Sequence, residues 1–136
     1  MAPTDQEAQE ADLVQTWRRL LAQYSAVAWA LDRALQERHG IGISEFEALE
    51  HMAEADKDMF RAQELTDAVH LSQSAGSRLI TRLERQGLVT RSACPLDRRG
   101  VLVRLTDAGR ELYRAARPTH RAVLAATLSA PSSRSS

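Results

Sequence analysis

A long apolar stripe near the start of the chain constrains its fold more than any other feature. Large apolar side chains recur every three or four residues along it, at Leu13, Trp17, Leu20, Tyr24, Val27, Leu31 and Leu35. This spacing marks one face of an α-helix and predicts a helix over residues 11–38, with the polar residues before it frayed. At about 1.5 Å per residue the helix is roughly 40 Å long, more than a compact domain of this size needs for itself.

The remaining elements follow from the period of the apolar residues and from their flanking signals. A capping box of Ser44 and Glu47 is predicted to begin a second helix, which a polar connector over residues 55–58 follows. Two further helices are predicted over residues 64–69 and 72–86. After Gly87 the period becomes strand-like, which predicts strands at 88–91 and 101–105 around a turn-rich loop. Thr106 then caps a last helix, which Pro118 is expected to kink or interrupt.

Composition narrows the class of protein. The chain has 136 residues, which fits one domain, and aromatic residues make up only 4% of it, which favours helices over a sheet sandwich. No apolar run approaches the roughly 18 residues of a membrane span, and the N-terminus lacks a signal-peptide pattern. We therefore expect a cytoplasmic protein that contacts no membrane. The single cysteine, Cys94, excludes an intrachain disulfide and agrees with a reducing compartment.

The net charge of zero conceals a strong asymmetry between the two halves. Residues 1–60 carry five basic and twelve acidic side chains, whereas residues 61–136 carry thirteen basic and six acidic ones. A basic half in an otherwise acidic chain indicates a polyanion-binding region. Nearly all of these cations are arginine, which binds phosphate and guanine in a bidentate manner. A GC-rich genome, which uses arginine wherever a cation is needed, would explain the choice of arginine over lysine, but it would not explain the clustering.

The helix predicted over residues 72–86 has two different faces. Gly76, Leu79, Ile80 and Leu83 share one face and are expected to pack inward, with Gly76 allowing close approach to the preceding helix. The opposite face carries the polar set Gln73, Ser74, Ser77, Arg78, Thr81 and Arg85. Such side chains read base edges and hold phosphates in the major groove of DNA. A solvated polar face without a nucleic-acid partner is the alternative reading.

Three separated motifs resemble the MarR family of bacterial regulators. They are Leu-Glu-x-x-Gly-Leu-Val at 83–89, Asp-x-Arg at 97–99 and Leu-Thr-x-x-Gly at 105–109, within a looser similarity over residues 13–120. The resemblance implies a mainly α fold: a single MarR-like domain over residues 1–136 with a winged helix-turn-helix lobe at 44–105. The lobe would carry a short two-stranded β-wing. Long terminal helices at 11–38 and 106–128 would form the dimer, and a disordered tail would follow at 129–136.

The resemblance also implies a function. It points to a homodimeric DNA-binding transcriptional regulator, more often a repressor, on a pseudo-palindromic operator with half-sites about one helical turn apart. Small aromatic or anionic effectors often release such proteins from DNA. The partner subunit would bury the apolar stripe. Wing arginines would clamp the duplex, with Arg99 in the minor groove, Arg98 and Arg91 beside it, and Asp97 holding the loop.

Two segments depart from the family pattern. Gln63 stands where relatives have a capping Ser or Thr before the short helix, so this helix is expected to be capped weakly. The chain ends in Leu-Ser-Ala-Pro-Ser-Ser-Arg-Ser-Ser where relatives continue into an amphipathic helix. We therefore expect a smaller dimer interface, or one closed mainly by residues 11–38.

A few residues have two readings. Cys94 is an ordinary turn residue before Pro95 or, among the wing arginines, a redox-sensitive thiol that provides an oxidative signal. Trp17 and Tyr24 are expected in the core, with lining of a ligand pocket as the alternative. Trp29 falls off the stripe and is the better candidate for a pocket or a second interface.

No enzymatic or metal chemistry is indicated. The four histidines show no metal-ligand spacing, and the chain has no phosphate loop or nucleophile elbow. We therefore expect no catalysis and no cofactor. The main alternative to a DNA-binding regulator is a winged-helix module that binds another protein without touching DNA. Binding that weakens steeply as salt rises would favour DNA.

Overall fold

A computed structural model of the chain describes residues 1–93 and 100–128. Its helices and strands, in chain order, are α1 (Asp5–His39), α2 (Ile43–Glu54), β1 (Phe60–Arg61), α3 (Ala62–Ala68), α4 (Gln73–Arg85), β2 (Val89–Ala93), β3 (Val101–Leu105) and α5 (Asp107–Leu128). The predicted mainly α fold with a winged helix-turn-helix is confirmed. Cys94, Asp97, Arg98, Arg99 and the tail predicted to be disordered at 129–136 lie outside the described residues.

The sheet contains one strand more than the two-stranded wing that the sequence predicted. All three strands are antiparallel in the order β1-β3-β2, and Phe60 of β1 lies opposite Val103 of β3. β1 has only two residues, so no alternation marks it in the sequence. It exists because the buried Phe60 brings the backbone alongside β3, which ties the start of α3 to the wing.

Helix α1 begins earlier than expected, because a capping box stabilises its start. The Thr4 hydroxyl accepts a hydrogen bond from the Glu7 N–H at 3.1 Å, and the Glu7 carboxylate accepts one from the Thr4 N–H at 3.3 Å. These contacts satisfy donors that a helix start leaves unpaired. The polar residues that we expected to fray are therefore helical. The predicted stop is confirmed, since Gly40 adopts φ 71° and donates its N–H to the Gln36 carbonyl at 3.1 Å.

The apolar stripe of α1 is buried at only one end. Leu31 and Leu35 lie in the core, but every residue up to Ala26 is exposed. The expected packing of Trp17 and Tyr24 in the core is wrong within one chain, because their exposed fractions are 60% and 71%. The reason is geometric: the first half of α1 extends past the elements that cover its second half.

Helix α2 begins one residue earlier than predicted and is capped differently. The proposed box of Ser44 and Glu47 is wrong. Instead, the Asp32 carboxylate of α1 accepts the Ile43 N–H at 3.0 Å, and the buried Glu45 carboxylate accepts the Gly42 N–H at 3.4 Å. A contact from another helix therefore replaces the local cap, which joins α1 to α2 at this corner.

One continuous core lies beneath α2, α3, α4 and the sheet. Its largest fully buried side chains are Phe46, Phe60, Leu35, Ile41, Leu49, Met52, Leu65, Leu79, Ile80, Leu83, Val89 and Val103. Full burial of each such side chain contributes about 1.5–3 kcal/mol relative to exposure. The core therefore fixes the helix-turn-helix and the sheet as one unit.

Helices α3 and α4 approach each other closely at Gly76. A Cβ atom added at Gly76 would lie 2.2 Å from Thr66 Oγ1 and 2.5 Å from Thr66 Cγ2. The Thr66 side chain cannot easily move away, because its hydroxyl donates to the Ala62 carbonyl at 3.0 Å and its β-branched rotamer is stiff. The expected close approach at Gly76 is confirmed.

Helix α5 continues through Pro118 to Leu128, so the predicted interruption is wrong. Its start agrees with prediction. The Thr106 hydroxyl accepts the Gly109 N–H at 3.0 Å and donates to the Gly87 carbonyl at 2.7 Å, which also fastens the helix to the end of α4. Pro118 removes one backbone donor, but packing of the neighbouring Ala116 and Thr119 against other helices keeps the helix continuous.

A polar network holds α5 against α2. Tyr113 donates to Glu54, and Arg121 binds the Glu50 carboxylate.

The ring of His120 is buried and stacks on Phe46 at 4.4 Å between centroids. His120 Nδ1 lies 2.8 Å from Arg121 Nη1 and must accept this bond, because arginine only donates. Burial lowers the pKa of His120 from its usual 6.5, and the positive charge of Arg121 lowers it further.

Replacement of Gly76 by alanine tests the α3–α4 contact. On an unconstrained helix Gly→Ala stabilises by about 1 kcal/mol, but here the overlap with Thr66 should reduce the free energy of unfolding by about 1–3 kcal/mol. Urea denaturation of Gly76→Ala at fixed protein concentration measures the change. Ser77→Ala, on the exposed side of α4, is the matched control and should shift the value by less than about 0.5 kcal/mol. An unchanged or raised stability of Gly76→Ala would contradict the close packing.

The buried neutral His120 predicts a pH dependence of stability. Because its pKa is lower in the folded state, the unfolded chain takes up the proton first as pH falls. The free energy of unfolding should therefore decrease below about pH 6.5, by at most about 1.4 kcal/mol per pH unit, until the lowered native pKa is reached. Urea denaturation of wild type and His120→Gln at pH 7.5 and 5.5 isolates this contribution. Equal pH dependence in both proteins would contradict it.

Candidate nucleic-acid interface

The segment from α3 to α4 forms a compact helix-turn-helix. His70 in the turn adopts φ 56°, a left-handed conformation that reverses the chain after the short helix α3. The Leu71 N–H donates to the Thr66 carbonyl at 3.1 Å, which closes the turn. Ser72 then caps α4, since its hydroxyl accepts the Ala75 N–H at 3.2 Å. Helix α3 begins at Ala62, two residues earlier than predicted, so Gln63 lies inside the helix and not at its cap. The actual cap position, Arg61, makes no side-chain cap hydrogen bond.

The core contacts of α4 determine which of its side chains face solvent. Gly76, Leu79, Ile80 and Leu83 are buried, so the opposite face is open. The structure places five of the six polar residues predicted on α4 on this exposed side, namely Gln73, Ser74, Ser77, Arg78 and Arg85. Thr81 is half-buried, and its hydroxyl donates to the Ser77 carbonyl at 3.0 Å, which leaves it only an acceptor role towards a ligand.

Arg82 belongs to the same surface and was missed in the sequence analysis. It lines a shallow groove together with Ser77, Arg78, Thr81 and Arg85. Its Nε lies 3.8 Å from Glu45 Oε1, and about half of its side chain is exposed. The signal was present, since arginines at 78, 82 and 85 have the spacing of one helical face.

Arg91 is placed differently from the other predicted DNA-binding residues. Its Nη2 donates to Glu84 Oε1 at 2.9 Å, so its guanidinium is bound to the end of α4. It also lines a pocket of about 260 Å³ between β1, α3, α4 and the wing, whose wall includes Arg61, Gln73, Ser77 and Val101. Arg91 therefore lies between the wing and the exposed face of α4.

The three aromatic candidates on α1 lie on two different sides of the helix. Trp17 and Tyr24 lie on the exposed stripe, whereas Trp29 is 63% exposed on the other side of the helix. There the guanidinium of Arg33 lies 5.2 Å from the centre of the Trp29 ring. Cys94, Asp97, Arg98 and Arg99 all fall within residues 94–99, of which the structure gives no description.

Within residues 1–93 and 100–128, no group of three or more His, Cys, Asp or Glu side chains is arranged to hold a metal ion. No helix among these residues is long and apolar enough to cross a membrane.

Relatives of known description share this arrangement. The model of the MarR family matches residues 39–100, which span α2 to the wing. AbsC, a MarR family transcriptional regulator from Streptomyces coelicolor, is 31% identical, with a TM-score of 0.75 over 93% of this chain and 81% of that one. Sco3205, a MarR family regulator from the same organism solved in complex with DNA, is 29% identical, with a TM-score of 0.78 over 93% and 76% of the two chains.

A curated bacterial protein is similar over a shorter region. An uncharacterised HTH-type transcriptional regulator of Bacillus subtilis, YdgJ, is 39% identical over 72 residues. The match includes 53% of this chain but only 43% of the relative, so it spans less than half the length of that protein. With AbsC matched over most of both chains, the helix-turn-helix and its wing place this chain in the MarR family of transcriptional regulators.

Proposed function

We propose that this protein is a homodimeric repressor that binds a pseudo-palindromic DNA operator. In each subunit α4 enters the major groove, and the wing contacts the adjacent minor groove. Gln73, Ser74, Ser77 and Arg78, at the N-terminal end of α4, contact base edges. Arg85 and the loop arginines Arg98 and Arg99 hold phosphates or the minor groove, and Asp97 orders the loop.

The exposed face of α4 carries this proposal. Three arginines project from it at positions 78, 82 and 85, against one carboxylate at Glu84 that is already paired with Arg91. The helix is held rigidly from behind by Gly76, Leu79, Ile80 and Leu83. A rigid helix with a basic, hydroxyl-rich face suits the major groove, where base edges and phosphates are both within reach. The relative Sco3205 was solved in complex with DNA, which supports DNA as the partner of this chain.

The exposed stripe of α1 supports the homodimer. Leu13, Trp17, Leu20 and Tyr24 are between 55% and 71% exposed, and Leu128 at the end of α5 is 53% exposed. Contiguous apolar surface of this kind is costly in water and marks an interface. A second copy that packs its own stripe against this one buries both, as an isologous two-fold interface requires.

Release from DNA is proposed to follow a small aromatic or anionic effector or oxidation of Cys94. The pocket lined by Gln73 and Ser77 supports release by a small effector, because both residues belong to the face of α4 proposed to contact base edges. A ligand held there alters the surface offered to DNA. The ring of Trp17, Tyr24 or Trp29 lines an effector site only if the dimer partner closes a pocket over it.

Arginine substitutions on α4 test the proposal. A high-affinity duplex is first selected from random sequences, and binding is then measured by fluorescence anisotropy at several salt concentrations. Arg78→Ala should lower affinity about tenfold or more and relax the sequence preference, as loss of a base contact does. Arg85→Ala should weaken all duplexes similarly and reduce the slope of log affinity against log salt by about 0.9.

Arg114→Ala is the matched control for charge, because Arg114 is exposed on α5 and does not line the groove of the α4 arginines. It should keep both the affinity and the salt slope of the wild type. Duplex binding that survives replacement of Arg78, Arg85 and Arg99 together would refute the DNA-binding proposal and favour a protein partner.

A charge on the α1 stripe tests the dimer. Leu20→Glu should convert the dimer to a monomer in light scattering, because burial of an unpaired carboxylate in an apolar interface costs several kcal/mol. It should also weaken binding to the full operator far more than to a single half-site. Ala22→Glu, exposed on the opposite side of the same helix, adds the same charge and should remain dimeric. A monomeric wild type would contradict the proposal.

A further inference from the structure

The backbone places Arg91 on the inward face of the wing. Side chains alternate along a strand, so Arg91 shares a face with Val89, which is fully buried two residues earlier. Its partner across the ladder is Val103, which is also fully buried. Thr90 and Ser92 point the other way. Arg91 itself is exposed, because burial on its face of the strand ends at Val89. Arg91 therefore projects from the core side of the sheet towards α4, at the point where the apolar core ends.

The guanidinium of Arg91 meets the last turn of α4. Its Nη2 lies 2.9 Å from Glu84 Oε1, and the two side chains are 33% and 40% exposed. A carboxylate near a helix C-terminus is disfavoured by the helix dipole, and a guanidinium beside it offsets that cost. A pair this exposed adds little to the free energy of unfolding, typically about 0–1 kcal/mol. Because the pair adds so little stability, its position between α4 and β2 points to a role other than stabilising the fold.

The ion pair of Glu84 and Arg91 bridges the short connection between α4 and the wing strand β2. After Arg85 the chain turns at Gly87, with φ 75°, and enters β2 at Val89. Hydrogen bonds from the Gly87 and Leu88 N–H groups to the Glu84 and Leu83 carbonyls hold the turn itself. Beyond the turn, the bond from Arg91 to Glu84 ties the side chains of β2 to those of α4.

We propose that Glu84 and Arg91 are positioning residues for DNA recognition. Their ion pair fixes the angle between α4 and the wing, so that the helix and the loop arginines engage the same duplex. Arg91 acts through this pair and not by binding a phosphate. The inference rests on the proposed DNA-binding function and replaces the direct contact that the sequence suggested for Arg91.

The negative charge of Glu84 distinguishes a positioning role from a passive one by the direction in which DNA affinity changes. An acidic side chain beside the DNA-binding face repels phosphates, so removal of a spectator Glu84 tightens DNA binding. Removal of a positioning Glu84 frees the wing and weakens binding, despite the gain in positive charge. The two roles therefore predict opposite changes from one substitution.

The experiment uses Glu84→Gln, Arg91→Gln and the double variant Glu84→Arg/Arg91→Glu with the selected operator duplex. Each single variant should weaken binding about fivefold, which corresponds to loss of one well-oriented pair. Arg91→Gln should keep the wild-type salt slope, because no phosphate contact is lost. The reversed pair conserves total charge and should restore affinity to within about twofold, whereas a direct phosphate contact by Arg91 would stay lost.

Three results would overturn the inference: tighter binding by Glu84→Gln, a salt slope reduced by about 0.9 in Arg91→Gln, or no recovery in the reversed pair. Thermal unfolding of each variant shows whether a loss of affinity reflects loss of fold, and the reversed pair remains decisive if a single variant is unstable. If the wild type binds no duplex in a salt-dependent manner, the proposed function itself fails. If the wild type binds and Arg78→Ala weakens it, a failure here concerns only Glu84 and Arg91.

Discussion

The contact between α3 and α4 at Thr66 and Gly76 is the constraint on which the rest of the DNA-binding lobe depends. The absence of a side chain at Gly76 lets the helices meet, and the stiff Thr66 side chain fills the space between them. Once this contact is made, Leu79 and Leu83 on the same face enter the core. Arg78 and Arg85 of α4 then face solvent because the opposite face of the helix is buried, and Arg82 lies beside Glu45 on the same surface.

The same lobe is joined firmly to the helices proposed to form the dimer. Asp32 of α1 caps α2, and α2 in turn binds α5 through Glu50 and Arg121 and through the stack of Phe46 on His120. Because these contacts are specific and partly buried, the lobe cannot rotate freely against α1 and α5. In a dimer, a change in how the two subunits pack would therefore change the distance between their two α4 helices. This coupling provides a physical route from the proposed effector to the proposed operator.

Most features that depend on residues near one another in the sequence were predictable, although the local capping box of Thr4 and Glu7 that begins α1 was overlooked. The helical period placed α4 and its buried face, and the change of period after Gly87 placed β2 and β3. Features that depend on tertiary contacts were not. The cap of α2 comes from Asp32, and no local pattern distinguishes it from the Ser44 and Glu47 box that sequence reasoning favoured. β1 likewise exists only through its pairing with β3.

The roles of the candidate site residues were also only partly predictable from the sequence, for a different reason. Arginine is the expected residue both for a phosphate contact and for an ion pair, so residue type alone cannot separate the two roles of Arg91. The direction of the side chain separates them. In a strand that begins with buried Val89, the residue two positions later must point to the same side. The strand direction places Arg91 on the inward face of the wing, where it meets the Glu84 carboxylate, whereas the sequence alone had assigned it to DNA.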